Sequence, residues 1–374
     1  MAAKPPNDRS PAPPRGFAAF APESPLRLRP AGLLEGAVAT AAIEQGRALP
    51  LAGGPLAFAE VEALARRRDG GVASAFGTVA DLLRWSAEQW PSVGERVANA
   101  LAAIVAPRRR WAGFVLDRPR LMGVLGVTAD GMAGGDAVEQ GRALLAAGAD
   151  IIDIRRGGAP TSPEEEIRYI EPVVRALAEG GALVSVETQH AAVMRAALAA
   201  GARIISGVTA APDDKEGLAV AAESGAAVVL THMVAAPRPT SDAAPDDDPA
   251  LDVLDYLEAG IAACEAAAMP REWIVVDPGI GFGKADPHDR ALLARLTLLH
   301  ATGCAVALSA SRQSFIARLS RGEPPKERLG GSLAAALWAA SQGVQVLRVH
   351  DVAETRQALA IRQAIVRGAP LALC

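Results

Sequence analysis

The sequence predicts an α/β protein in which a (β/α)8 barrel follows a small, mainly helical amino-terminal domain. Three observations lead to this prediction. The chain has 374 residues, enough for a barrel of about 250 residues and a smaller unit. From about residue 119, short β-branched segments alternate with alanine-rich amphipathic segments, the order that is typical of parallel β/α proteins. Eight segments of the first kind occur, and eight strands close such a barrel.

The chain before the barrel divides into two parts. Residues 1–28 are rich in Pro, Ala and Arg and lack apolar periodicity, which predicts a disordered tail. Residues 29–118 are predicted to form the mainly helical domain, because their apolar residues recur at helical spacing. The helical segments predicted there are 33–43, 58–66, 79–90 and 93–105.

Residues 119–374 are assigned to the barrel. Its predicted strands are 121–127, 151–154, 183–187, 204–206, 227–231, 274–277, 305–308 and 346–349. An open, doubly wound sheet is the competing architecture, but no G-x-G-x-x-G follows the first strand. The barrel therefore remains the predicted fold.

Composition narrows the function. The net charge of −4 shows no basic excess of the kind that neutralises nucleic-acid phosphates. No apolar run approaches the roughly 20 residues of a membrane helix, and the amino terminus lacks the apolar core of a signal peptide. Three widely separated cysteines fit neither a disulfide framework nor a zinc site. We therefore expect a cytoplasmic protein with small-molecule substrates and no nucleic-acid or membrane partner.

Polar side chains fall at the carboxyl ends of the predicted strands, where barrel enzymes assemble their active sites. Three of them are the carboxylates Asp153, Glu187 and Asp277, and a carboxylate can accept paired N–H bonds from an amino-pyrimidine. Arg348 and His350 are two apart on the last strand, so both face the same side. An acidic floor beside a cationic rim predicts a ligand with an amidine-like head and an anionic tail, such as a pterin diphosphate.

From residue 121 to about 365 the chain resembles the dihydropteroate synthase family. The resemblance rests on six segments: LMGVLGVTADG (121–131), ADIIDI (149–154), VVLTHM (228–233), DPGIGFGK (277–284), SRQSFIARL (311–319) and LRVHDVAET (347–355). DPGIGFGK also ends in GK like a nucleotide-binding loop, but it lacks the GxxxxGK[ST] spacing.

The resemblance implies a transferase that joins 7,8-dihydropterin-6-methyl diphosphate to the amine of p-aminobenzoate, with Mg²⁺ on the diphosphate and a homodimeric assembly. It assigns diphosphate binding to Arg348 and His350, and the arylamine to Ser314. The pterin-binding residues that it implies are Asp153, Glu187, Ser206, Met233, Asp277, Phe282 and Gln313.

Several positions depart from the family pattern. Gly126 replaces an asparagine that contacts magnesium or diphosphate, so the direct metal contact is lost. Glu187 and Ser206 replace a pterin-binding aspartate and asparagine, and Gln313 replaces the lysine of SRKS. The second loop reads RRGGAPTSPEE (155–165), with no clear counterpart of the family's threonine and arginine.

Three functions are compatible with these departures. The first is synthase-type transfer, either to p-aminobenzoate or, as in tetrahydromethanopterin synthesis, to a ribosylated and phosphorylated arylamine. The second is a non-catalytic homologue with a structural or regulatory role. The third, which the sequence supports less, is a pterin-dependent methyltransferase.

Overall fold

The computed structural model describes residues 16–17, 20, 26–68, 71–108, 110–128, 135–158, 162–209, 215–233, 248–281 and 286–368. In these ranges no helix combines the length and the apolar character that a membrane crossing requires.

The carboxyl-terminal part of the chain forms a closed barrel of eight parallel strands, as predicted. The strands are β7 (Arg120–Val127), β8 (Ile151–Arg156), β9 (Val184–Glu187), β10 (Ile204–Val208), β11 (Ala227–Thr231), β12 (Ile274–Asp277), β13 (Ala305–Leu308) and β14 (Val346–Val349). Each strand pairs with the next in chain order, and β14 returns to pair with β7, so Arg348 lies beside Met122. The strands are almost wholly buried, which suits their Val and Ile content.

Helices surround the barrel. They are α4 (Gly135–Ala146), α5 (Pro163–Glu179), α6 (Ala191–Ala199), α7 (Lys215–Ser224), α8 (Pro249–Ala266), α9 (Asp286–Ala294), α10 (Ser314–Leu319), α11 (Leu329–Ser341) and α12 (Val352–Arg367). A 3-10 helix, Leu296–Thr302, leads into β13. The start of α5 follows from its sequence, because the Ser162 hydroxyl accepts from the Glu165 amide and Pro163 takes the first helical position.

The amino ends of the barrel strands are closed by a tryptophan. Trp111 belongs to a short hairpin of β5 (Arg110–Trp111) and β6 (Phe114–Val115). Its buried ring packs among side chains from the first residues of the strands, and its indole N–H donates to the carbonyl of Trp273 at 3.0 Å. The inward side chains at the opposite, carboxyl ends are therefore those that can form a site.

The prediction of a mainly helical amino-terminal domain is wrong. The unit contains an antiparallel sheet of β1 (Arg27–Leu34), β2 (Leu49–Pro50), β3 (Ala57–Arg66) and β4 (Val72–Thr78), together with α1 (Gly36–Glu44), α2 (Val79–Ala87) and α3 (Pro91–Val105). Helices were predicted at 33–43, 79–90 and 93–105, and α1, α2 and α3 lie there, although residues 33–34 belong to β1. The fourth predicted helix, 58–66, lies instead in the central strand β3, which pairs with β1 on one edge and with β2 and β4 on the other. Pairing on both edges fixes an extended backbone that local spacing does not reveal.

The predicted disordered tail over 1–28 is also incorrect where the chain is described. Phe17 and Phe20 are buried, and their rings lie 5.9 and 5.7 Å from that of Trp85 in α2. Leu26 and Leu28 are buried in the same cluster. Residues 1–15, 18–19 and 21–25 lie outside the described ranges. These four apolar residues therefore take part in the core of the amino-terminal unit.

The amino-terminal unit packs on the outside of the barrel, against the 3-10 helix and α8. Thr297 donates to the carbonyl of Pro30 at 2.7 Å, and the buried Arg108 donates to the carbonyls of His300 and Cys304 at 3.0 and 3.2 Å. The carboxylate of Glu62 lies between Arg29 and Arg295, at 2.6 and 3.5 Å. These contacts join the unit to the outside of the barrel.

Candidate active site

Asp153 lies on the floor of the barrel mouth and is completely buried. One carboxylate oxygen accepts from the hydroxyls of Ser185 and Ser206, at 2.6 and 2.7 Å. The other accepts from Nε of Arg348 at 2.6 Å. Because burial of a carboxylate is costly without such partners, the strands β9, β10 and β14 together make this buried charge possible.

Glu187 ends β9 one layer closer to solvent, and its carboxylate accepts from Nη2 of Arg348. Burial raises the pKa of Glu187, aided by the negative charge of Asp153 and opposed by the positive charge of Arg348. Burial alone would lower the pKa of Arg348, but the two adjacent carboxylates raise it, so this side chain stays charged. Gly207, with φ of 74°, leaves room for Glu187, since a Cβ there would lie 3.2 Å from its Cγ.

Asp277 ends β12 on the other side of the mouth and is 2% exposed. One of its oxygens accepts from the Ser309 hydroxyl at 2.6 Å, and the other accepts from the Gly279 amide at 2.7 Å. These two hydrogen bonds fix the plane of the carboxylate. The side chain is therefore a preoriented acceptor.

These groups converge on one small cavity of about 10 Å³, the space of a single water molecule. Its lining comprises Met122, Glu187, Ser206, Gly207, Val229, Thr231, Asp277, Ala307, Ser309 and Arg348. The sequence-predicted Asp153, Glu187, Asp277 and Arg348 thus lie together. A bicyclic ring is much larger than this space, and Arg348, which spans the mouth between two carboxylates, is the side chain that occupies it.

His350 lies at the rim, one layer above Arg348 on the same side of β14. Its Nδ1 is 3.1 Å from the hydroxyl of Ser311, which also accepts from the His350 amide. Burial lowers the pKa of His350 to about 4, and the positive charges of Arg312, Arg155 and Arg348 act in the same direction. The ring is therefore neutral near pH 7 and can donate one N–H bond, but it adds no positive charge.

The remaining predicted residues lie around this mouth or outside the described chain. Gln313 lies over Gly281, and its amide donates to the carbonyl of Ser309 at 3.4 Å. Met233 follows β11 and accepts from Gln189 at 3.2 Å, while the hydroxyl of Ser314 accepts from Arg318 at 2.8 Å. Phe282 lies outside the described residues.

Gly126 lies near the end of β7, and none of the described residues comes within 4 Å of the position of a Cβ there, so among them the missing side chain leaves open space. Among the described residues, no three His, Cys, Asp or Glu side chains are grouped as metal ligands. Of the floor carboxylates, Asp153 and Glu187 are engaged by Arg348. The described residues therefore do not fit a protein-held magnesium ion.

Sequence reasoning missed three groups that orient the carboxylates: the hydroxyls of Ser185 and Ser309 and the amide of Gly279. Ser185 is two residues before Glu187 in VSVE, so strand alternation alone places both on the inner face. Ser309 directly follows β13, where the same rule applies. The Gly279 contact depends on the turn after β12 and leaves no comparable signal in the sequence.

The class to which this barrel belongs follows from comparison with known proteins. Residues 128–350 match the family model described as "Pterin binding enzyme". The chain is 38% identical over 262 residues to the dihydropteroate synthase of Escherichia coli, covering 67% of this chain and 92% of that protein. The chain belongs to the dihydropteroate synthase family, a family of transferase enzymes.

Other relatives agree with this assignment. A dihydropteroate synthase of Xanthomonas albilineans, solved with 4-aminobenzoic acid, has a TM-score of 0.62 and 39% identity, covering 69% of this chain and 96% of its own. That of Thermus thermophilus, solved with 6HMPPP, has a TM-score of 0.61 and 38% identity, with 69% and 98% coverage. A probable bifunctional folylpolyglutamate synthase/dihydropteroate synthase of Haloferax volcanii is 40% identical over 252 residues, which are 64% of this chain but only 30% of that protein.

Proposed function

We propose that this protein condenses 7,8-dihydropterin-6-methyl diphosphate with p-aminobenzoate and releases diphosphate. The observation that carries the proposal is the convergence of Glu187 and Asp277 on one cavity at the barrel mouth, where Asp153 is hydrogen-bonded to two of the lining residues, Ser206 and Arg348. A pterin carries an amino-pyrimidine edge with adjacent N–H donors, and such an edge needs oriented acceptors. Asp277 and Glu187 supply them, with Ser206 between.

The relatives support this choice of substrates. Solved dihydropteroate synthases of Xanthomonas albilineans hold 4-aminobenzoic acid in one structure and 7,8-dihydropteroate in another. The identity of 39% with those chains supports the same pair of reactants here. Neither the tetrahydromethanopterin-type acceptor nor the methyltransferase finds comparable support among these relatives.

In the proposed reaction the bond between the 6-methylene carbon and the diphosphate oxygen breaks, and diphosphate leaves with the electron pair. The pterin cation that remains is stabilised by the buried carboxylates beneath it, which are oriented before the charge develops. The arylamine nitrogen then forms the new bond to the methylene carbon and loses a proton to solvent. The carboxylates of Asp277 and Glu187 thus act in both binding and charge stabilisation.

Substrate binding requires one rearrangement. The pterin ring needs the space that the Arg348 guanidinium now spans, and Arg348 contacts both Glu187 and Asp153. In the proposal Arg348 leaves Glu187, keeps its hydrogen bond to Asp153, and lies against the ring. The freed carboxylate of Glu187 then accepts from the pterin edge.

A product assay tests this proposal. The whole chain is incubated with 7,8-dihydropterin-6-methyl diphosphate and p-aminobenzoate, and 7,8-dihydropteroate and diphosphate are quantified. We expect equal amounts of both products. If diphosphate is released only with a ribosylated, phosphorylated arylamine, that amine and not p-aminobenzoate is the acceptor. Pterin binding without turnover of either amine would favour the non-catalytic alternative.

A further inference from the structure

The mouth has fewer free positive charges than its sequence suggests. Arg348 is neutralised by Asp153 and Glu187, and the guanidinium of Arg312 is paired with Asp351 through two nitrogens. His350 is uncharged near pH 7 because its pKa is lowered to about 4. An anionic tail of the substrate therefore needs a cation other than these three side chains.

Arg155 is a further cation at this mouth. It lies near the end of β8, two residues after Asp153, and strand alternation places both side chains on the inner face of the barrel. Asp153 contacts Ser185 and Ser206 across the interior, so Arg155 faces the mouth one layer above it. Its side chain is exposed and makes no hydrogen bond or ion pair with any residue in the described ranges. Its charge nevertheless acts on both Glu187 and His350.

The strand register places Arg155 beside the open space at Gly126. Across adjacent strands, Gly126, Arg155 and Glu187 are at the same level. Gly126 is exposed, and no atom of the described residues lies within 4 Å of its Cβ position. A guanidinium on one side of an open space, with the acidic floor beneath, matches a ligand that has N–H donors on its ring and an anionic tail.

We propose that Arg155 binds the diphosphate of the pterin substrate directly, in the space left by Gly126, and that it replaces a protein-held metal ion in neutralising this group. The inference rests on the proposed function, since it assumes the pterin lies on Asp277 and Glu187. A planar guanidinium can donate two parallel N–H bonds to phosphate oxygens, which no single-point cation does. It also stabilises the negative charge that develops on the departing diphosphate.

The experiment compares two ligands on four proteins by titration calorimetry in EDTA and in excess Mg²⁺. The ligands are 7,8-dihydropterin-6-methyl diphosphate and 6-hydroxymethyl-7,8-dihydropterin, which lacks the diphosphate. The proteins are the whole wild-type chain, Arg155→Ala, Arg155→Lys, and Arg142→Ala as a matched control. Arg142 is an exposed arginine of α4 that, like Arg155, pairs with none of the described residues.

In EDTA, Arg155→Ala should bind the diphosphate ligand about 10- to 100-fold more weakly than wild type, because the ligand loses a charged hydrogen-bonding partner. Arg155→Lys should recover part of that loss, and Arg142→Ala should match wild type. The hydroxymethyl ligand should bind wild type and Arg155→Ala alike, which also shows that the variant is folded. Removing Mg²⁺ should change wild-type affinity for the diphosphate ligand by less than about fivefold. That change is smaller than the loss expected when one charged hydrogen bond is removed.

Two results would overturn the assignment while leaving the proposed function intact. One is that Arg155→Ala loses less than about fivefold of its affinity for the diphosphate ligand, because a charged contact supplies more than that. The other is that wild type loses more than about fivefold of its affinity for the diphosphate ligand when Mg²⁺ is removed. If wild type binds neither ligand under either condition, the proposed function itself fails.

Discussion

At the residue scale, one arginine and two carboxylates determine the resting state of the mouth. Asp153, Glu187 and Arg348 form a buried ion-pair triad, in which the Arg348 side chain is only 11% exposed. Removing one partner of such a group leaves an uncompensated charge, whereas a ligand with N–H donors can replace the guanidinium without that penalty. In the proposed function, the triad maintains the acidic floor until the pterin binds.

Substituting Glu187→Gln tests the role of this carboxylate. We expect 6-hydroxymethyl-7,8-dihydropterin to bind about 10-fold more weakly, because an amide accepts fewer hydrogen bonds than a carboxylate and carries no charge. Calorimetry on wild type and variant measures the change, with Glu179→Gln, at the exposed end of α5, as control. Since burial raises the pKa of Glu187, wild-type affinity should fall with decreasing pH before the ordinary glutamate range is reached, and the variant should lack this fall. Equal affinity across the pH range would show that Glu187 serves only the ion pair.

Strand-end position predicted which residues meet, but not what they contact. Asp153, Glu187, Asp277 and Arg348 were predicted at the mouth, and they lie there. The predicted cationic rim differs in two ways from the one observed. Arg348 turns inward to two carboxylates. His350 is neutral near pH 7, because burial lowers the pKa of its ring. Charges depend on burial and on neighbours that are distant in sequence, so residue types at strand ends do not determine them.

At the scale of elements, the barrel strands were predictable and the amino-terminal sheet was not. In the barrel, short β-branched strands alternate with long helical segments. The spacing of apolar residues in each segment therefore fits either a strand or a helix, but not both. In 58–66, by contrast, Phe58, Val61 and Ala65 fit helical spacing, while Glu60 and Glu62 fit strand alternation. Alanine between them is compatible with both, and pairing with β1 and β4 decides the outcome.

The 3-10 helix Leu296–Thr302 carries a prediction about pH. His300 is fully buried there, and its Nε2 is 2.9 Å from the carbonyl of Gln342. Burial, reinforced by the charge of Arg108, lowers its pKa from 6.5 to about 4, despite the hydrogen bond to Gln342. Between these values the unfolded chain binds a proton that the folded protein does not, so stability should fall as pH decreases through this window.

The size of the effect can be measured by urea unfolding of wild type and His300→Gln. From about pH 6.5 to about pH 5, wild type should lose about 1.5 kcal/mol more of its free energy of unfolding than the variant does. The full slope is about 1.4 kcal/mol per pH unit for one proton, but the unfolded histidine is only half protonated at the start of this range. The variant retains a side-chain N–H for the carbonyl of Gln342. Parallel pH curves for the two proteins would show that His300 titrates normally in the folded state.

At the scale of the whole molecule, the barrel separates stabilisation from chemistry. The amino-terminal unit contacts the 3-10 helix and α8, and Trp111 closes the amino ends of the strands. Arg27 and Arg66 of that unit form ion pairs with Asp252, Asp255 and Glu258 of α8. We therefore expect it to serve stability or assembly, while the strands' carboxyl ends hold the reactive groups.

The proposed function depends most directly on an acid-lined mouth that holds the pterin. Asp277 is an acceptor there that two hydrogen bonds orient. The measurement is calorimetric titration of wild type and Asp277→Asn with 7,8-dihydropterin-6-methyl diphosphate. We predict saturable one-to-one binding by wild type and at least about tenfold weaker binding by the variant, whose amide presents one acceptor where the pterin needs two. Undiminished binding by Asp277→Asn, or the absence of binding by wild type, would contradict it.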